Sequence, residues 1–293
     1  CMVWTGNSTI DYAVLTHSHN DHFGGYTSSL PKSSNSDTYS LIGFAEIFDN
    51  FKIGTLLDRG YPDYNYPFNM ATMADNAPSC SNYINAVKWH VANQKFDAAI
   101  FKAGANDQIV QKYNPAKYPT AKVQNVAVNG EIWTGSGTTT KKTFPELSEI
   151  TYENSKNITS SDNCPPENIT SCVMKVSYGN FDFFAGGDLQ YNGRSSHAWK
   201  DAELPCAKAV GQVELLKANH HGVTNTNQVD ALKALNPQTI VVNSWVDCHP
   251  RTDILNSMET TLPACDMFIT NFWQGDRPSG VDDLSLIHIS EPT

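Results

Sequence analysis

Six residues, His17-Ser18-His19-Asn20-Asp21-His22, place four metal-binding side chains in one short stretch. They follow an apolar run, residues 10–16, that reads as a strand, so the sheet fixes where the stretch begins. Imidazole nitrogens and carboxylate oxygens are borderline-hard donors suited to zinc and similar divalent ions. At this spacing one loop serves two ions, with His17 and His19 on the first and Asp21 and His22 on the second. Without a cation the same four groups would be a partly buried polar cluster with a desolvation cost and no partner.

The pattern His-x-His-x-Asp-His after a strand, with the small residues Gly24-Gly25 behind it, resembles the signature of the metallo-β-lactamase superfamily. Two later segments carry the same resemblance. Phe181 to Phe184 runs into Ala185-Gly186-Gly187-Asp188, and residues 213–217 lead through Ala218-Asn219 to His220-His221-Gly222. The resemblance implies that Asp188 bridges two ions and that one histidine of the pair closes the second ion's shell. We favour His221 as that ligand and His220 as an orienting or substrate-facing group. Many members of the superfamily place one more histidine between these blocks. Here only His90 is available, and its neighbours Ile84, Val87 and Val91 recur at helical spacing, which makes it a helix histidine rather than a ligand. The first ion is then left with His17, His19, Asp188 and water, and exchanges more readily.

The run 169–188, the His-His-Gly step and Cys248-His249-Pro250 look like the branch that includes the hydrolase domain of bacterial competence DNA-uptake channels, and Asn219-His220-His221 is similar to a run in phosphorylcholine esterases. The implied fold is α/β, a four-layer αββα sandwich of the metallo-β-lactamase type. The implied activity is metal-dependent hydrolysis with two zinc ions, manganese being a second choice. A phosphate ester is favoured as substrate over a lactone, thioester or β-lactam; the alternative is a noncatalytic metal-binding or interaction module. Two such ions would bring the pKa of a shared water down to about 7 and make it the nucleophile. Asp21 would orient that water, and His220 or His249 would donate a proton to the leaving group. There is no Gly-x-Ser-x-Gly elbow that would supply a protein nucleophile.

The elements that must position these groups belong to one expected domain, residues 1–283. The last ten residues, 284–293, resemble a translated sequencing-library adapter and are set aside with His288. Strands before the first ligand block are expected to be missing, which would leave an unpaired sheet edge and poor solubility for residues 1–283 alone. Further strands are expected at 53–58, 213–217, 239–245 and 266–270, with a hairpin turn at Tyr178-Gly179-Asn180-Phe181. A helix should open at 21–26, its N-terminal amides near the metals. A second should run through Val229, Leu232 and Leu235, capped by Thr226 or Asn227 and stopped by Asn236-Pro237. Residues 136–167 read as an insertion. The aromatic stretch 61–67 walls a substrate pocket or packs as a surface loop.

The 293 residues carry a formal charge of −10 with 17% charged side chains, which disfavours nucleic acid as a partner and leaves a small or polymeric ester. No apolar run is long enough to span a bilayer. Of the seven cysteines, Cys172 alternates with Met174 and Val176 and reads as a buried thiol. Cys164, Cys206, Cys248 and Cys265 suit disulfides in loops. With the sequons at Asn7, Asn157 and Asn168, they favour an extracellular or periplasmic location.

Overall fold

The run ahead of the histidine stretch forms strand β1 (Thr9–Val14) in a computed structural model that describes residues 9–74, 76–150, 163–191, 197–246 and 248–270. It pairs in parallel with β2 (Lys52–Asp58), and β2 with β3 (Asp97–Ile100), in a sheet of order β1-β2-β3. The second sheet holds β4 (Lys122–Val128), β5 (Glu131–Trp133), β6 (Thr140–Lys142), β7 (Val173–Tyr178), β8 (Phe181–Ala185), β9 (Leu215–Lys217), β10 (Thr239–Val242) and β11 (Asp266–Ile269). Its order is β11-β10-β9-β8-β7-β4-β5-β6, with β8 through β11 parallel and the rest antiparallel. The chain is thus a mixed α/β protein.

Apolar packing explains how the two sheets are held. Leu15, Ile53 and Leu56 pack with Phe48, Tyr83, Ile84 and Val87, which come from the helices Phe44–Asn50 and Ala77–Ala92. Phe184, Leu216 and Ile240 pack with Ala207, Leu232, Leu235, Leu255 and Met258 from the helices Glu203–Val210, Val229–Leu235 and Thr252–Thr261. A smaller cluster of Leu57, Phe101, Val128 and Cys172 joins strands of both sheets. The two sheets also meet at the backbone, where Cys172 N–H donates to Thr16 O at 2.8 Å.

Several expectations hold. The hairpin forms, with Tyr178 opposite Phe181, and Asn236 ends its helix in the left-handed conformation before Pro237. His90 is a core histidine, 1% exposed, bonded to Ala86 O, facing Asp49 and stacked on Phe96. Cys172 is buried.

Other expectations are corrected. The helix expected over 21–26 is a single turn, Asn20–Phe23, ended by Gly24 at φ 103°, so it offers no helix N-terminus to the metals. The strand expected over 239–245 stops at Val242, and the one over 213–217 starts at Leu215. Gln228 is the N-cap of the Val229–Leu235 helix, because Asn227 bonds Asn219 and Thr226 bonds Val223 O. Part of the expected insertion is regular structure, β6 and the 3₁₀ turn Leu147–Glu149, while 151–162 lie outside the described residues. Cys206 sits inside a helix as a buried thiol, Cys164 is a buried thiol, and Cys248 and Cys265 are thiols too, so the disulfide argument for export is lost. Asn168 is 7% exposed and unsuited to carry a glycan. Cys1, Asn7, Asn157 and residues 271–293, with the 284–293 tail, lie outside the described residues. Among the described residues no helix is long and apolar enough to cross a membrane.

Candidate metal centre

Parallel strands bring their following loops to one edge, and three such loops converge here. His17, His19, Asp21 and His22 follow β1, Asp188 follows β8, and His220 and His221 follow β9. Around Asp188 Oδ2 lie His22 Nε2 at 3.1 Å, His221 Nε2 at 3.4 Å, His17 Nε2 at 3.5 Å and His220 Nε2 at 3.8 Å. Donors about 2.1 Å from a tetrahedral ion stand roughly 3.4 Å from one another, so the His22, His221 and His17 separations match those between two ligands of one ion. The donors sort into two groups able to hold a metal ion: His17, His19 and Asp188, and Asp21, His22, Asp188 and His221. Asp188 belongs to both.

Close approach at this junction depends on two glycines. A Cβ on Gly186 would stand 2.1 Å from Asn219 Oδ1, and one on Gly187, at φ 59°, would stand 2.9 Å from Ser171 Oγ. The turn carrying the histidine pair is strained. His220 and His221 both have left-handed backbone, φ 44° and 55°, at a cost of about 1–2 kcal/mol each for residues with a Cβ. Buried contacts hold them there: His220 N–H donates to Gly187 O, and Asn219 is bonded through Nδ2 to Glu203 and through its N–H to Asn227.

The hydrogen bonds of the two imidazoles separate their roles. His221 Nδ1 lies 2.7 Å from Asn243 O; a carbonyl only accepts, so Nδ1 carries a proton and Nε2 is the nitrogen turned toward the ligand group. Asn168 Nδ2 donates to Gln190 Oε1 at 2.8 Å and to His220 Nδ1 at 3.2 Å, which leaves the His220 proton on Nε2, facing Asp188. Burial pushes His220 down to about 4, so it is neutral at pH 7. His249 stacks on His221, with ring centroids 5.4 Å apart and planes at 4°.

The electrostatics call for positive charge. Burial works against a charged His221, but hydrogen bonds to Asp188 and Asp21 outweigh it and push its pKa up to about 10. Asp21 is held at about 2, chiefly by its bond to His221. Burial would raise Asp188, yet His22, His221, His17 and Lys217 together hold it well below the usual carboxylate range. Asp188 Oδ1 is buried without a hydrogen-bond partner. His17, fully buried, is driven strongly toward its neutral form by desolvation. A neutral His17 and a His221 whose extra proton a cation would displace, set around the ionised Asp21 and Asp188, are a donor set that fits a divalent cation.

Sequence reasoning missed four supporting residues. Lys217 Nζ donates to Gly187 O at 2.7 Å and stands 3.6 Å from Asp188 Oδ1; a lysine at a strand end two residues from the ligand turn was the available signal. Arg59, Glu167 and Glu203 carry no local signal. The 61–67 stretch is partly core: Tyr64 is buried with its hydroxyl on Asp58, while Tyr66 lines a cavity of about 630 Å³ with Phe101, Asn129 and Phe144.

Glu203 supplies a pH test. Burial raises its pKa from 4.5 to about 7, although Asn219, Gln228 and Asn227 all donate to it. A folded pKa above the unfolded one stabilises fully below pH 4.5, and the contribution is lost as pH rises through 7. In urea unfolding of the metal-free protein, the stability of wild type relative to Glu203→Gln should fall by roughly 2–3 kcal/mol from pH 5 to 8. A difference that stays flat across that range would show that Glu203 is ionised throughout.

No protein-family model matches this chain, and no curated protein matches it. The class defined by fold and site is therefore a mixed α/β protein with paired His/Asp groups able to bind metal.

Proposed function

We propose that the protein is a metal-dependent hydrolase of the metallo-β-lactamase type, acting on an ester, with a phosphate ester ahead of a lactone, thioester or β-lactam. The observation that carries this reading is the convergence of His17, His19, Asp21, His22, Asp188 and His221 from three strand ends into two groups sharing Asp188. Two sheets joined by an apolar cluster, each with helices packed against it, support the αββα sandwich. His17, His19 and Asp188 would hold one zinc, and Asp21, His22, Asp188 and His221 the other, with manganese the second choice. When bound, such ions supply Lewis acidity and make water acidic enough to react near neutral pH.

The chain's own residues do the rest. Asp21, exposed and ionised, accepts a hydrogen bond from water at the edge of the site and orients it. His220, neutral and held by Asn168, presents Nε2–H to the leaving-group oxygen. His249 packs His221 in place. Lys217 offsets the charge on Asp188 and ties Gly187 to the end of β9.

Full-length protein, stripped with a chelator and dialysed, should be inactive on a panel of phosphodiesters, phosphomonoesters, lactones and thioesters. Zinc or manganese should restore turnover with about two ions per chain. Activity that survives stripping would sink the hydrolase mechanism, and tight metal binding with no turnover on any substrate would favour the noncatalytic module.

A further inference from the structure

The short 3₁₀ helix Glu167–Thr170 and the residue after it touch all three ligand loops. Glu167 Oε1 accepts Ser18 N–H at 2.7 Å, between the ligands His17 and His19. Asn168 bonds His220 Nδ1, and Ser171 Oγ accepts Asp188 N–H at 3.2 Å. This segment is seated by Arg59, 2% exposed, whose Nε donates to Glu167 Oε1 at 2.7 Å and whose Nη2 pairs with Glu167 Oε2. Arg59 is itself fixed from two sides: Nη1 donates to Tyr66 O at 2.8 Å, and its carbonyl accepts from Asn129 Nδ2 at 2.8 Å.

Stability alone does not account for this pair. Burying two charges costs several times what a surface pair gains, and well-packed apolar side chains in the same space generally stabilise as much or more. What apolar residues cannot do is accept the Ser18 N–H, which would otherwise be buried in the middle of a ligand loop. We propose that the Arg59–Glu167 ion pair is a positioning device: Arg59 locks Glu167, and Glu167 sets the spacing of His17 and His19 for the first ion, the one with the fewest protein donors. The inference rests on the metal reading above and adds to it which residues, outside the ligands, govern the affinity of one site.

Three full-length variants separate positioning from stability, by zinc titration against a chromophoric chelator and by thermal melting of the metal-free protein. Arg59→Leu/Glu167→Leu removes both charges and should melt close to wild type while binding its weaker zinc about 10–100-fold less tightly. Glu167→Gln keeps an acceptor for Ser18 but leaves Arg59 without a counter-charge; its Tm should fall by about 10 °C while zinc affinity stays within about threefold. Arg59→Leu, which leaves a buried carboxylate unpaired, should lose both. Affinity that simply tracks Tm across the set would overturn the proposal, as would a double variant with wild-type affinity. If the double variant does not fold, Glu167→Gln decides: a zinc affinity lowered tenfold or more overturns the proposal, and one within threefold supports it. Wild type that binds no zinc would remove the metal reading itself, an outcome distinct from either.

Discussion

Replacing Asp188 by Asn is expected to abolish both ions and turnover together. All four imidazole nitrogens nearest the centre face one oxygen of this carboxylate, and both ligand groups include it. An amide keeps the shape and removes the charge, so the neutral histidines would have only Asp21 to balance two divalent ions. Loss of several kcal/mol of Lewis-acid stabilisation at 1.36 kcal/mol per tenfold is a fall of roughly 10³ or more in kcat/KM. Elemental analysis should show well under one ion per chain. The metal-free fold should persist, since the backbone N–H of residue 188 keeps its bond to Ser171 Oγ. Two ions retained in a folded Asp188→Asn protein would mean that the carboxylate is not the bridge.

The histidine pair should divide just as sharply. His221→Ala removes the Nε2 donor that Asn243 aims at the second group, and metal content should fall from about two ions to about one. His220→Ala should keep both ions and lower turnover by roughly ten- to a thousand-fold, because it removes a neutral N–H donor rather than a ligand. Leaving-group dependence discriminates further. Loss of a hydrogen-bond donor to the leaving-group oxygen should cost most on esters with poor leaving groups and little on activated aryl esters. Metal loss in His220→Ala, with none in His221→Ala, would exchange the two assignments.

Much of the centre was legible in the chain because its chemistry is local. Four donors in six residues at a strand end, two glycines before an aspartate, and a histidine pair after a short apolar run each state a ligand type and a place on a sheet edge. Residue spacing carries that information because a strand delivers its next residues to a fixed edge. The same locality placed His90 on a helix and made Cys172 a buried thiol, one residue ahead of β7. It misled at Cys206, where a neighbouring proline suggested a loop but sits instead in the first turn of a helix, where proline is tolerated.

What only the tertiary structure decided are the contacts between segments far apart in the chain. His221 meets Asp21 across 200 positions, and Arg59 meets Glu167 across 108. No periodicity reports such a meeting, because an arginine or glutamate in a loop reads as a solvated charge until the fold buries it beside a partner. The tautomers of His220 and His221 were undecidable from the chain for the same reason. Two adjacent histidines are equivalent in sequence and become different only when one nitrogen meets the Asn243 carbonyl and the other the Asn168 amide. Residue type and spacing determined which atoms could hold a metal ion; packing determined which of them face each other, and with which proton.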